Sequence, residues 1–269
     1  SAIIFDIDTF GGRVDAATQI KDIILDSKVT TIAFINKRAI SAGALISLSC
    51  DSIFMTPGAS IGAATAVDLQ GNKASEKVIS YMREEMASTA EANNRSRDIA
   101  TAMVDEELSI DFLLNIQGDT LTAKNVDGFA EGKLITLSTH LAVQLGIAGG
   151  EFGSIEEVLK YLELEDAEQK DMEESWSEKL VRFLTNPVVA PLFMSLGMLG
   201  LFMEIKSPGF GVPGTVGLIC LALFFGSHFL VGLADMTEVI FLLAGIALIL
   251  MEILVIPGFG VVGISGICI

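Results

Sequence analysis

Along the first half of the chain, short apolar runs alternate with longer segments of helical periodicity. A mostly apolar run, interrupted by Asp6, covers 3–7, a helical pattern covers about 15–27, and a second apolar run occupies 31–35. A second helical pattern then covers about 41–49, and a third apolar run follows at 52–55. Strands separated by helices predict a parallel sheet covered on both faces, hence an α/β domain. In such sheets ligands bind beyond the carboxyl ends of the strands, where loops meet helix N-termini. From about residue 187 the pattern changes. Apolar stretches at 187–203, 213–233 and 237–256, with a fourth beginning near Val261, approach the 20 or so residues that cross a hydrocarbon core of about 30 Å. These predict an α-helical transmembrane bundle of three spans plus the start of a fourth. Between the halves, residues 163–179 are dense in acids and read as a solvated linker or helix face. Trp176, Leu180, Val181, Phe183 and Leu184 then fall near helical spacing with Lys179 and Arg182 among them, which predicts a helix along the membrane surface. The expected organisation is a domain at 1–153, a linker with an interfacial helix at 154–186, and a membrane region at 187–269.

Composition sharpens this division. The 269 residues carry 34 acidic and 17 basic side chains, a net charge of −17, and 51% are hydrophobic. Such a chain is too apolar to be disordered and too acidic to be a nucleic-acid binder as a whole. Residues 188–269 hold only Glu204, Lys206, Asp235, Glu238 and Glu252, a net −3, so −14 belongs to the water-facing part. Cys50, Cys220 and Cys268 make no disulfide framework. The chain starts with Ser1 inside a strand-like run and shows no signal peptide, so the expectation is a piece or a processed chain lacking its first strand.

The membrane region contains a repeat. Residues 207–212 (SPGFGV) recur as 256–261 (IPGFGV), and Met203-Glu204-Ile205 recurs as Met251-Glu252-Ile253. A spacing of about 49 residues is one helical hairpin, so the pattern predicts duplicated hairpins broken at Pro-Gly. Glu204 and Glu252 precede these breaks, where a carboxylate reaches the interface at lower cost than in mid-span; an ion-pathway role is the sharper alternative. His228 reads as a packed or hydrogen-bonded residue, because no second ligand stands at metal spacing. Lys206 against Asp235 and Glu238 puts the first short loop in the cytoplasm and residues 1–187 outside, whereas Lys179 and Arg182 argue the other way.

Two loops of the first domain have the placement of a site. Asp8-Thr9-Phe10-Gly11-Gly12-Arg13 follows the opening strand, and its glycines let backbone N–H groups approach an anion or oxyanion, although paired glycines also make ordinary turns. The second loop, Asn36 to Ala44, joins a strand to a helix that Ser41 opens. There the free amides and the helix dipole stabilise developing negative charge, but a serine at this position is also the usual N-cap.

These residues resemble the membrane-bound serine proteases of the NfeD family, within the ClpP and crotonase fold. The resemblance rests on Asp-Thr-x-Gly-Gly-Arg at 8–13, the Ser41-Ala42-Gly43 helix start, Pro57-Gly58-Ala59-Ser60-Ile61-Gly62-Ala63, and 137–148 with its late helix and glycine turn, and it continues into the spans. It implies a nucleophile at Ser41 and a lysine base near the start of the next helix. Lys73 and Lys77 are the candidates; Lys77 fits the family pattern better, with Tyr81 four residues and Arg95 eighteen residues later. A lysine can serve because removal from water disfavours its charged form, leaving an amine able to take the serine proton. The oxyanion would meet amides near Gly11 or Gly12 and at Ala42. Phe10 stands where the family usually has Pro, so the oxyanion loop is expected to be held differently. The resemblance further implies an oligomer, at least a dimer, no cofactor and no metal, and a stomatin-like or prohibitin-like membrane protein as substrate or partner. Against a Ser41–Lys77 endopeptidase stand a non-catalytic membrane scaffold that binds the same partners through this fold, and acyl-CoA chemistry of the crotonase kind. The last leaves the serine, the lysine and the spans unexplained.

Overall fold

The computed structural model describes residues 1–67, 71–172, 175–186, 188–206 and 211–231, together with 240, 244 and 245. The chain divides into two compact units, 1–169 and 170–269. In the first, the expected alternation is present: β1 (Ala2–Thr9), α1 (Val14–Leu25), β2 (Thr30–Ile40), α2 (Ala42–Ser49) and β3 (Ser52–Met55). Next come β4 (Ser60–Gly62), α3 (Glu76–Ala92), α4 (Arg97–Ala102), β5 (Leu113–Leu114) and β6 (Thr120–Leu121). The unit closes with β7 (Thr136–Ser138), α5 (Thr139–Gln144), β8 (Gly150–Glu151) and α6 (Ile155–Tyr161).

β2 organises the sheet. Its first half pairs in parallel with β1 on one side and β3 on the other, and its last three residues, Arg38 to Ile40, pair with β4. β8 extends the sheet beside β3, and β7 runs antiparallel to β4. Because successive side chains of a strand point to opposite faces, Ala33, Ile35 and Ala39 enter the main core with Leu45 and Leu48 of α2. Ile32 and Phe34 enter a second core with Phe54 and Val158. Both faces are therefore covered, as an all-apolar strand requires. Val158 is fully buried, and Phe152 and Tyr161 make edge contacts with the Phe54 ring. The structure thus places 154–169 with the first unit, where the acidic composition had put the start of the linker.

Arg95 ties this layer together. Its guanidinium donates to the carbonyls of Leu48 and Cys50 at 2.9 Å each, Asp51 at 3.1 Å and Ile147 at 3.2 Å. Three of these carbonyls lie at or just past the C-terminus of α2, where a cation offsets the helix dipole. Arg95→Ala is expected to cost about 2–4 kcal/mol, because several carbonyls lose a charged donor together. A thermal melt of the full chain in detergent, followed by near-ultraviolet dichroism, checks this.

The second unit contains α7 (Trp176–Leu184), α8 (Ala190–Lys206) and α9 (Val212–Leu230). Among the described residues, α9 alone is long and apolar enough to cross a membrane, and α8 is a shorter apolar helix. The expected third span, apart from residues 240, 244 and 245, the fourth, the second copy of the repeat and Glu252 lie outside the described residues. Glycines bring α8 and α9 to backbone contact: a Cβ on Gly200 would stand 2.7 Å from Gly217 Cα, and one on Gly197 2.6 Å from Leu221. Glu204 turns out to be a cap. Its carboxylate accepts the amides of Gly211 at 2.7 Å and Gly214 at 2.9 Å, at the start of α9. His228 is hydrogen-bonded through Nδ1 to Phe224 O at 2.7 Å.

Candidate active site

The junction of β2 and α2 is held by three segments. Ser41 has φ 57° and ψ −118°, a strained conformation for a residue with a side chain, and its hydroxyl does not cap α2. The N-cap alternative therefore fails at the atom that would have carried it. The strain is maintained by neighbours. Ser41 N–H donates to Gly62 O at 3.0 Å, and Ser41 O accepts from Ala44 at 2.9 Å. Gly62, at φ 136°, allows this because a Cβ there would strike the Ile135 carbonyl. Gly62 is the positioning residue that the sequence reading passed over; its signal was the Ser60-Ile61-Gly62 segment.

From the other side, the β1 loop closes onto the serine. The β1–β2 register slips between Ile7 and Thr9, so that Thr9 faces Ala39 and the loop arrives beside Ser41. A Cβ on Gly11 would lie 2.7 Å from Ser41 Cβ and 3.1 Å from its Oγ, and one on Gly12 would lie 3.9 Å from Ala42 Cβ. Gly11, Gly12, Ser41 and Ala42 thus form one cluster. Within it the two glycines differ. Gly11 commits its N–H to Thr9 Oγ1 at 3.0 Å, whereas Gly12 is exposed and has no such bond among the described residues. The first amides of a helix lack intrahelical acceptors, which leaves Ala42 available beside it. Gly11 has φ 126°, so Gly11→Ala both strains the loop and crowds the serine. If Ser41 acts as a nucleophile, the change is expected to reduce its labelling by a fluorophosphonate about 10²-fold with the helical content unchanged, measured by labelling alongside circular dichroism.

Phe10 is held by Arg38, which Asp8 holds in turn. The Arg38 guanidinium lies 4.4 Å from its ring centroid, and Asp8 pairs with Arg38 at 3.0 Å and Lys37 at 3.7 Å. Phe10, Lys37 and Arg38 line a cleft of about 490 Å³ with Asn36, Ile40, Pro57, Gly58 and Ser60. The lining reaches Phe10 and Ile40, the immediate neighbours of Gly11 and Ser41.

The two lysines are separated by their surroundings. Lys73 bonds Glu106 at 3.1 Å and lies 3.8 Å from Glu107, and the Glu106 bond raises its pKa above the ordinary lysine range, holding it protonated. Lys77 stands exposed in the first turn of α3, without an ion pair among the described residues. α3 packs on α2, the helix that Ser41 opens. No hydrogen bond joins Lys77 to Ser41 among the described residues. Burial pushes the Cys50 thiol up to about 12, so it is no competing nucleophile. His140 is exposed on α5. Among the described residues no cluster of three or more His, Cys, Asp or Glu side chains is arranged to hold a metal.

The model of the NfeD1b N-terminal domain matches residues 1–172, and that of the NfeD integral membrane domain matches 188–269. The chain belongs to the NfeD family. Membrane protein NfeD1b of Bacillus subtilis (strain 168) is 42% identical over 265 residues, which cover 98% of this chain and 57% of the relative. Membrane-bound protease PH1510 of Pyrococcus horikoshii is 29% identical over 234 residues, 82% of this chain and 50% of the relative. The chain spans about half the length of these curated relatives. Among solved structures, a lysine-to-alanine mutant of the 1510-N membrane-bound stomatin-specific protease, in complex with a substrate peptide, superposes with a TM-score of 0.53. It is 23% identical and covers 69% of this chain and 83% of that one, so the α/β fold is shared. The family's integral membrane domain makes this a membrane protein.

Proposed function

We propose that this chain is a membrane-anchored serine endopeptidase in which Ser41 and Lys77 form the catalytic dyad, cleaving apolar segments of membrane-associated proteins. The observation that carries the reading is the Ser41 backbone at φ 57°, uncapped, at a strand-to-helix turn. Such a strained turn aims a hydroxyl outward at the head of a helix, where a capping serine would instead fold it onto the amides. In the proposed reaction Ser41 Oγ attacks the scissile carbonyl while the Lys77 amine takes its proton. The oxyanion accepts from the amides of Gly12 and Ala42, with the α2 dipole behind them. Lys77, now an ammonium, returns the proton to the leaving amine, and water then releases the acyl group by the reverse sequence. Substrate covering the exposed Lys77 would exclude water from the pair.

The relatives support the substrate class. One is named a membrane-bound protease and another a stomatin-specific protease, so a stomatin-like or prohibitin-like membrane protein is the proposed substrate or partner. The chain is further proposed to act as an oligomer, at least a dimer. Its membrane region would span repeatedly, with α8 and α9 as the first hairpin and the stretches at 237–256 and from Val261 as the second. The protease unit would then be extracytoplasmic, following the Lys206 against Asp235 and Glu238 asymmetry.

The test is to incubate the full chain in proteoliposomes with a fluorophosphonate and map the modified peptide. Ser41 is expected to carry the label. A second reading, the non-catalytic scaffold, draws on the absence of a bond between Lys77 and Ser41; it predicts no label and no cleavage while partner binding persists.

A further inference from the structure

α7 is an amphipathic helix whose start and end are both fixed. Ser175 and Glu178 form a reciprocal capping box, with Ser175 N–H to Glu178 Oε2 at 2.6 Å and Glu178 N–H to Ser175 Oγ at 3.2 Å. At the other end, Asn186 N–H donates to Phe183 O, and Asn186 O accepts from Val189 and from Ala190, the first residue of α8. Its Oδ1 accepts from Val188 at 2.9 Å. One asparagine therefore ties the last turn of α7 to the first turn of the apolar helix α8. Leu184 to Ala190 is six residues of chain, at most about 20 Å even when fully extended.

The faces of α7 are sharply divided. Trp176, Leu180 and Phe183, at positions i, i+4 and i+7, form one stripe, while Glu178 and Arg182 lie opposite and Lys179 flanks the stripe. Leu184, on the neighbouring edge, is buried within the same unit. The stripe is not: Trp176 is 78% and Phe183 55% exposed. Leaving an indole and a phenyl ring in water forgoes a few kcal/mol of burial. These aromatics belong to a helix hydrogen-bonded to the first helix of an integral membrane domain that begins at residue 188.

We infer that α7 lies in the plane of the bilayer interface, with Trp176, Leu180 and Phe183 immersed at the boundary between headgroups and acyl chains. An indole suits that depth because its ring is apolar and its N–H is polar. Lys179 at the edge of the stripe reaches back to the headgroups along its apolar stem. The occupant of the stripe is lipid, and its zwitterionic form suffices, since the contact is apolar. α7 then fixes the level at which the acidic segment preceding Ser175 leaves the membrane, independently of any catalysis at Ser41.

Trp176 is the sole tryptophan of the chain, so its fluorescence reports this helix alone. The full chain is reconstituted in phosphatidylcholine vesicles, with bromine on the lipid either near the headgroup or near the chain ends. Blue-shifted emission, quenched more strongly by the shallow bromine than by the deep one, is the expected result. The double variant Leu180→Glu, Phe183→Glu is expected to lose at least half of that quenching while still fractionating with the vesicles. Water-like emission insensitive to bromine overturns the inference. So does blue-shifted emission without quenching, which places the stripe against protein, and so does stronger deep quenching, which places it within a span.

Discussion

Ser41→Ala is expected to abolish fluorophosphonate labelling and to lower peptide cleavage by about 10³-fold or more, leaving the fold intact. The size follows from the covalent route. Without Oγ no acyl intermediate forms, and the amides of Gly12 and Ala42 retain only their electrostatic share. The fold should survive because Ser41 holds its place through backbone groups, the N–H on Gly62 O and the carbonyl under Ala44, which alanine keeps. Alanine inherits the unfavourable φ as well, so stability should change little. Cleavage of a stomatin-like substrate and a thermal melt, run side by side, check both halves. Cleavage that persists at the original rate in the alanine form would remove Ser41 from the mechanism.

Lys77→Ala is expected to lower kcat by about 10²–10⁴-fold with a much smaller change in KM, because a general base acts on the transition state. A thermal melt separates a base from a structural lysine, because the Lys77 side chain is exposed and its loss should leave Tm in place. Lys73→Ala, which removes an ammonium already bonded to Glu106, should leave kcat near its original value. Cleavage at the original rate in Lys77→Ala would overturn the dyad.

The sequence pattern reached the fold where strands are buried on both faces and helices follow at once. β1, β2 and β3 with α1 and α2 were legible for that reason. β2 is longer than its apolar run because Asn36 and Lys37 continue the strand as exposed residues, carrying no hydrophobic signal. β4, β7 and β8 have two or three residues each, too few for a period to be seen. The acid-rich composition concealed α6, whose place in the first unit depends on Val158 meeting Phe34 and Phe54. At the site, the position of Ser41 was readable from the chain, while its proposed role and the preference for Lys77 came from the resemblance. A cap and a nucleophile share the same helix start, and the backbone angle that leaves the Ser41 hydroxyl uncapped is set among Gly11, Gly62 and Ile135, remote from one another in the chain. What distinguishes Gly11 from Gly12 depends on where the Thr9 hydroxyl goes, and the surroundings of Lys73 on Glu106, thirty-three residues further along.

The Glu204 cap bears on how α8 and α9 hold together. In apolar surroundings the amides that open a helix find no water partner to accept from them. Here α8 brings that partner along: its own carboxylate satisfies Gly211 and Gly214, and the glycine contacts with α9 lock the pair. The two helices therefore form an internally satisfied pair, in which the Glu204 carboxylate is met by backbone N–H groups at the start of α9.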